Sequence, residues 1–564
     1  MPETVTRSSF RVMAYNIADF IEHAVDLMPD RTALETDGAS RTYAELEARA
    51  NALAHQLRAF GVEPGETVGV YSRNTLECVE AMVAIFKARA VMVNVNFRYV
   101  ESELEHIFTD SEMKVLIYER QFTQKVAKVL PKAPKLEHLI VMEDGVSRDI
   151  ADALNHGHLT ADATEFEDAI ANNSSERDFE ERSNDDLYML YTGGTTGHPK
   201  GVVWRQEDVY RVLGGGTDWF NGVPIDDEWK FANDGAAGGQ LVRFPIPPFI
   251  HGGSQWAVFQ ALYGGGKAII YPEFGGHQTW QIVERHKVNV IFITGDAMAR
   301  PMIDALLEKD YDISSVFSVA SSAALFSQSV KDQYVDKFPN AVIIDAIGSS
   351  ETGFGGLATI TKGAEHAGGP RVKADPNTVL LREDGTIIPV GSDEVGVMAR
   401  TGNIPLRYYN DPVKSDKTFK VYDGTRYSIP GDYARYETDG SITMLGRGSV
   451  SINSGGEKIY PEEVEQALKA HPDVFDAVVV GVPDERYGQR VSAVIATRDG
   501  AQPSLASINE AAREQIAGYK CPRSVWFVDT IKRSPAGKPN YRWGTEITES
   551  RAADETLTVT STRV

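Results

Sequence analysis

A change of hydrophobic period, repeated along the first third of the chain, narrows the fold more than any other feature. In TYAELEARANALAHQLRAFGV (residues 42–62), Leu46, Ala50, Leu53, Ala54 and Leu57 recur at helical spacing, so one face of a helix must be buried. Thr42 stands ahead of it with Glu45 three residues on, the arrangement of a capping box. A Gly/Pro turn at 62–65 leads into TVGVYS (67–72), which reads as a buried strand. A helix pattern over 77–88, a strand pattern in VMVNVN and a further alternation through EHIFTDSEMKVLIYE follow. Strands separated by helices pair in parallel, so the expected class is α/β.

The chain has 564 residues, 42% hydrophobic and 24% charged, enough for a large core divided among more than one globular unit. Near Leu445 the texture changes: GRGSVSINSGGEKIYP precedes a helix pattern, PEEVEQALKAH, and a strand pattern, DAVVVGV. Pro461, Glu462 and Glu463 suit a helix start, and Val464, Ala467, Leu468 and His471 share its inner face. The expected organisation is a large, multi-lobed N-terminal domain (1–446) with mixed and parallel sheets. A small mobile α+β domain (447–564) follows a hinge near Ser449. Residues 163–186 are polar and acidic without an apolar period and read as a surface loop. Residues 546–564, polar and Thr-rich, read as a frayed tail. The glycine clusters at 214–216 and 264–266 read as turns needing positive φ. No internal repeat is visible.

A formal net charge of −23 sets a repulsive field against phosphate backbones and argues against nucleic-acid binding. The two cysteines, Cys78 and Cys521, have neither CxxC spacing nor a histidine cluster, and read as incidental thiols in a reducing compartment. The start, MPETVTRSSFRVMAYNIADF, lacks a secretory pattern, and no stretch approaches 18 uninterrupted apolar residues. The expectation is a cytoplasmic protein, in which the N-x-Ser patterns at Asn172 and Asn173 are chance; peripheral membrane contact and a homodimer stay open.

One stretch concentrates flexible and hydroxylated residues around a lysine: YTGGTTGHPKG, residues 191–201. Its glycines let backbone amides approach an anion, Thr192, Thr195 and Thr196 offer hydroxyls, and Lys200 supplies a mobile positive charge. The Walker A spacing is absent, since Lys200 is followed by Gly201. Taken alone, the stretch allows either a phosphate loop or a flexible turn.

The stretch resembles the AMP-binding signature of the adenylate-forming superfamily, which includes acyl-CoA synthetases, adenylation domains and firefly-type luciferases. Further stretches resemble the family's later motifs in the family's order. By that resemblance Thr192, Gly193, Gly194, Thr195, Thr196, Gly197 and Lys200 hold the triphosphate of ATP; Gly193 stands where many members have serine. GSSETG (348–353) is similar to the motif in which a hydroxyl residue, here Ser350, meets the α-phosphate and a glutamate, here Glu351, holds Mg²⁺ together with Thr192. Asp345, Ala346, Ile347, Gly348 and Ser349 occupy the adenine side of that segment, with Asp345 at the position that meets the adenine amino group and Ile347 where an aromatic ring is common. Ser322, Ala323 and Ala324 match the opposite wall of the adenine, without its usual glycine. YSIPGDYARYETDG resembles the ribose motif, giving Asp432, with Pro430 replacing threonine, and Arg447 follows as the second ribose contact. IKRSPAGKPN resembles the motif whose lysine, here Lys538, reaches the carboxylate and α-phosphate during adenylation. There Ser534 takes the hydroxyl position and Lys532 replaces the leading proline.

The resemblance implies two half-reactions: attack of a carboxylate on ATP to give acyl-AMP and pyrophosphate, then displacement of AMP by a thiol. Between them, family members rotate the C-terminal domain, which carries Lys538 away and presents a glycine-rich face, here Gly455 and Gly456 with Lys458, to CoA. His251, in FPIPPFIHGGSQW (244–256), matches the residue closing the carboxylate end of the acyl pocket. Phe249, Ile250, Trp256, Gly252 and Gly253 suit an apolar lining and hence a hydrophobic acid. The wording of the motifs looks most like actinobacterial ligases of fatty or steroid side-chain acids. An acyl-adenylating enzyme with another acceptor, and a non-catalytic nucleotide sensor, remain alternatives.

Overall fold

The capping box forms as the spacing requires. Glu45 N donates to Thr42 Oγ1 at 3.1 Å and Thr42 N donates to Glu45 Oε2 at 2.8 Å, opening the helix Tyr43–Ala59. The computed structural model describes residues 15–145, 163–192, 199–218, 222–324, 326–360, 371–454, 457–484, 488–498, 500–516, 518–533 and 537–557. The run of strand patterns that follows the helix becomes a five-stranded sheet in the order Val91–Asn94, Thr67–Tyr71, Val115–Glu119, His138–Met142 and Thr164–Glu165. Every pairing in it is parallel. Thr67–Tyr71 is buried along its whole length, as a strand covered on both faces must be.

A larger sheet continues from Lys267–Ile269 through Val242–Pro245, Val290–Ile293, Ser318–Ser322 and Val342–Ser349, all parallel. The next strand, Gly353–Thr359, runs antiparallel to Val342–Ser349, and antiparallel pairing continues beyond it. These five parallel strands therefore release their carboxyl ends at one edge, and beside the last of them the pairing changes direction, the place at which open α/β sheets bind ligands. Between the two sheets lies a three-stranded antiparallel unit of Leu187–Thr192, Lys200–Arg205 and Arg407–Tyr408.

The C-terminal part forms its own six-stranded sheet. The helix Pro461–Leu468 starts with Pro461 in its first turn and buries Val464, Ala467 and Leu468 against that sheet. Cys78 and Cys521 are buried free thiols. Among the described residues no helix is long and apolar enough to cross a membrane.

Two expectations fail here. The segment 163–186 is not merely a surface loop: it contains the helix Phe166–Ala171, with Phe166 and Ala169 buried, and it sends Arg182 into the interior, where its side chain is 3% exposed. Charge anchors this segment together with a few isolated apolar residues, too few to give a hydrophobic period. The tail is likewise ordered through Thr556, since Tyr541–Ser550 is a helix and Glu555–Thr556 pairs with Ser524–Val528. Residues 558–564 lie outside the described residues.

Candidate functional site

Residues far apart in sequence meet at the carboxyl edge of the parallel strands. Val242–Pro245 leads to His251, which N-caps the helix Gly252–Tyr263, and Val290–Ile293 leads to Thr294 and the helix Gly295–Glu308. Ser318–Ser322 leads to Ala323 and Ala324, and Val342–Ser349 to Ser350 and Glu351. Gly295 N donates to Ser321 Oγ at 3.0 Å and fastens two of these ends together. Ala323 holds φ at 70°, a left-handed backbone that costs a non-glycine residue about 1–2 kcal/mol.

The hairpin that carries the glycine-threonine loop sits beside this edge. Thr192 and Lys200 face each other across its two strands; Gly193, Gly194, Thr195, Thr196 and Gly197 lie outside the described residues. Asn94 is buried and fixes the base of the hairpin: its amide nitrogen donates to Tyr191 O at 2.9 Å and to Ile250 O at 2.7 Å, while Tyr191 N donates to its oxygen at 2.7 Å. Lys200 forms an ion pair with Asp411. Asp411 also N-caps the helix Pro412–Thr418 by accepting from Lys414 N at 2.9 Å.

Glu351 is buried beneath the same unit. Tyr408 Oη donates to Glu351 Oε1 at 2.8 Å, Ser428 Oγ donates to Glu351 O at 2.6 Å, and Trp204 Nε1 donates to Ser350 O at 3.0 Å. The strand Arg407–Tyr408 and the residues just after it thus connect Glu351, through Tyr408, with Lys200, through Asp411. Neither Tyr408 nor Asp411 was identified in the sequence. The Asp-Pro pair at 411–412 is a readable helix start; Tyr408 carries no comparable signal.

Asp345 does not present a free carboxylate to the edge. Its side chain is buried and Oδ2 lies 2.6 Å from Lys331 Nζ, on the helix Gln328–Lys337. Burial pushes its carboxyl up and the Lys331 ammonium only partly opposes this. Ala346 and Ile347 follow on the same strand, half-buried, with Ile347 packed against the cluster of Leu380, Ile388 and Met398.

Two glycines set the next pair of candidates. Gly431 at φ 98° precedes Asp432, and Gly446 at φ 107° precedes Arg447, backbone that favours glycine. The antiparallel register then brings Asp432 opposite Arg447. Gly448 N donates to Gly431 O at 3.1 Å. Gly455 and Gly456 lie outside the described residues; Lys458 is in the strand Glu457–Ile459.

The C-terminal loop closes over the edge. Gly537 holds φ at 72°, and a Cβ on it would lie 3.2 Å from Ala297 Cβ, 3.5 Å from Thr294 O and 3.6 Å from Ala324 Cβ. Lys538 follows Gly537 at once and is half-buried. Ser534 lies outside the described residues.

At the acyl side, His251 is half-buried, whereas Phe249, Ile250 and Trp256 are buried core residues. Gly252 is buried and Gly253 is exposed. A Cβ on them would lie 2.8 Å from Leu190 Cδ2 and 2.8 Å from Phe292 Cζ, so they let the helix Gly252–Tyr263 pack closely on the neighbouring strands. The 214–216 cluster is structural in the same way: a Cβ on Gly214 would meet Trp256 at 2.9 Å, and Gly215 holds φ at 88°.

Comparison with known proteins agrees with this geometry. The family described as "AMP-binding enzyme" matches residues 21–407, and "AMP-binding enzyme C-terminal domain" matches residues 463–538. The chain is 61% identical over 549 residues to a 3-oxocholest-4-en-26-oate–CoA ligase of Rhodococcus rhodochrous, covering 96% of this chain and 98% of the relative. It is 55% identical over 548 residues to a medium/long-chain-fatty-acid–CoA/3-oxocholest-4-en-26-oate–CoA ligase of Mycolicibacterium smegmatis, with the same coverage. Among solved structures, the anthranilate CoA ligase AuaEII in complex with anthranoyl-AMP superposes with a TM-score of 0.79 at 22% identity, covering 95% of this chain and 98% of that one. ATP-bound MatB from Rhodopseudomonas palustris gives 0.78 at 23%, covering 95% and 99%. At those identities the likeness speaks for the fold alone. A large α/β N-terminal domain whose hairpin, strand ends and small C-terminal domain converge on one edge, matched through both parts of the chain, makes this protein a member of the AMP-binding enzyme family.

Proposed function

We propose that the protein is an ATP-dependent acyl-CoA ligase. It activates a hydrophobic carboxylic acid, a medium- or long-chain fatty acid or a steroid side-chain acid, as acyl-AMP and then transfers the acyl group to CoA. The observation that carries this reading is the seating of Gly537 against Thr294, Ala297 and Ala324, which brings the Lys538 loop onto the edge shared by Ala324 and Glu351. The names of the two relatives support the acid class.

In the first step a carboxylate oxygen of the acid attacks the α-phosphorus and pyrophosphate leaves. Lys538 holds the two anions together and stabilises charge at the five-coordinate phosphorus, a contribution on the order of 10²–10³ in rate. Thr192, Lys200 and the loop between them bind the phosphates; the Lys200–Asp411 ion pair opens when phosphate takes the ammonium. Asp432 and Arg447 take the ribose. With its carboxylate on Lys331, Asp345 is assigned no side-chain contact to the base, and its backbone and the flanking Ala346 and Ile347 take that role. Magnesium fits at Glu351. Tyr408 occupies Oε1, the carboxylate makes no other hydrogen bond among the described residues, and Thr192 adds a hydroxyl. A cation held by one carboxylate and substrate phosphates matches magnesium's habits, and it would supply neutralisation of phosphate charge.

In the second step the CoA sulfur attacks the acyl carbonyl, the thiol proton is released and AMP departs. We assign the domain boundary to 446/447 and the hinge to Ser449, which lies in the short turn Gly448–Val450 after the Asp432–Arg447 pair. A cytoplasmic setting is part of the proposal, supported by two buried free thiols. The test is AMP release with ATP, Mg²⁺ and CoA across acetate, benzoate, octanoate, palmitate and 3-oxocholest-4-en-26-oate. Turnover confined to the last three is expected. Turnover only with acetate or benzoate sinks the acid assignment, and acyl-AMP formation without CoA consumption moves the protein to another acceptor.

A further inference from the structure

The N-terminal and C-terminal domains are joined by a buried ionic chain that the reaction itself does not use. Lys469 follows the helix Pro461–Leu468 and is 1% exposed. Its Nζ lies 3.3 Å from Asp296 Oδ2, in the first turn of the N-terminal domain's helix Gly295–Glu308, and 3.9 Å from Asp476 Oδ1. Asp296 is tied to its own domain, since Ser327 N donates to its Oδ1 at 2.8 Å and Arg300 Nη2 is 3.5 Å away. On the other side, Asp476 takes both ends of Arg533, at 2.5 and 2.7 Å, and Arg533 Nη1 donates to Gly537 O at 2.9 Å. Four contacts thus lead from Asp296 to the residue before Lys538.

We propose that Asp296 and Lys469 form a positioning pair that sets Lys538 over the nucleotide edge for adenylation and parts when the C-terminal domain turns for thioester formation. Lys469 is a positioning residue, acting through Asp476, Arg533 and Gly537. Its ammonium has exchanged water for two carboxylates, and Asp296 is held below the usual carboxylate range: burial by itself raises it, and Lys469 and Arg300 overcome that. A pair of this kind is strong while both partners stay buried. It has an exit, because the turning domain carries Lys469 toward water while Asp296 keeps Arg300 and Ser327. That makes it a two-state contact between domains.

The inference rests on the proposed ligase activity, and the half-reactions separate the two. Full-length Asp296→Asn, Lys469→Met and Lys469→Arg are compared with the parent chain in ATP–pyrophosphate exchange with palmitate, and in single-turnover transfer from preformed palmitoyl-AMP to CoA. Exchange should fall about tenfold in Asp296→Asn and Lys469→Met, as the pose that seats Lys538 becomes less populated while the chemical groups stay intact. Acyl transfer should hold or quicken, and Lys469→Arg should restore most of the exchange. Equal loss of both half-reactions, or exchange unchanged in both neutral variants, overturns the pair. If Lys469→Met does not fold, Asp296→Asn, nearly isosteric and still able to accept from Ser327 N, decides alone. Absence of exchange in the parent chain overturns the ligase reading instead.

Discussion

Two buried ionic clusters, alike in composition, sit in different mechanical settings. The first lies wholly within the N-terminal domain. Lys87 Nζ meets Glu22 at 2.5 Å and Glu47 at 2.9 Å, and Arg182 meets Asp19 at 2.5 Å and Glu22 at 2.8 Å. It fastens the helices Ile17–Leu27, Tyr43–Ala59 and Leu76–Lys87 to the polar segment around Arg182. The second, Asp296–Lys469–Asp476–Arg533, crosses from one domain to the other. In the first, no partner can leave without unfolding its surroundings, so charge there acts as structure. In the second, the partners belong to two domains, so the same chemistry joins one to the other and, on the proposed mechanism, sets their orientation.

The largest effect expected from that contrast is at the far end of the second cluster. Lys538→Ala should lower pyrophosphate exchange on the order of 10²–10³-fold while leaving the thermal midpoint unchanged. Exchange at the parent rate would remove Lys538 from the chemistry and leave its cluster without a purpose. Next comes the first cluster. Lys87→Ala leaves Glu22 with Arg182 and Glu47 with Arg177 as their remaining cations and should cost about 3 kcal/mol of stability, the low end for a broken buried pair, read from the denaturant midpoint, with both half-reactions falling only as the folded fraction falls. A selective loss of one half-reaction would show that the two clusters are not so different.

The smallest effects are in pH dependence, and the domains should slope in opposite directions. Burial would raise the Glu22 carboxyl, but Lys87 and Arg182 prevail and hold it at about 2. A carboxyl depressed in the folded state stabilises above its unfolded value, and that contribution is lost as pH falls toward 2. Glu465 is the reverse. Burial pushes it up to about 8, opposed by the hydrogen bond from Val479 N at 3.0 Å. Its folded form holds a proton that the unfolded form releases, so stability is full below the unfolded value and declines as pH rises toward 8. Glu22→Gln should flatten the acid limb, and Glu465→Gln the limb between neutral and alkaline pH, in denaturant titrations monitored separately for each domain. Unchanged slopes would mean that these carboxyls titrate normally.

How far the fold was legible depended on what kind of force held each part. The helix Tyr43–Ala59 and the strands Thr67–Tyr71 and Val91–Asn94 follow from apolar period and a capping box, because burial of their side chains is what forms them. The segment around Arg182 and the stretch 546–556 have few and scattered apolar anchors, Phe166 and Ala169 in one and Ile547 and Ala553 in the other, and polar contacts add to them. Arg182 pairs with Asp19 and Glu22, and Glu555 accepts from Leu505 N at 2.8 Å, contacts that leave no hydropathy trace. Gly252, which suggested room for a ligand, is buried against Leu190, whereas Gly253 stays exposed beside Phe292.

By itself the sequence determined the α/β class, the order of the motifs and the residue types available at each, since local period and spacing need no partner. Only the tertiary structure decided that Tyr408 holds Glu351, that Asp345 belongs to Lys331, and that Lys469 reaches Asp296 from the other domain. The members of these pairs are 57, 14 and 173 residues apart. Which charge meets which is set by how strands and domains pack, and a charged residue looks the same in sequence whether it faces water or a buried partner.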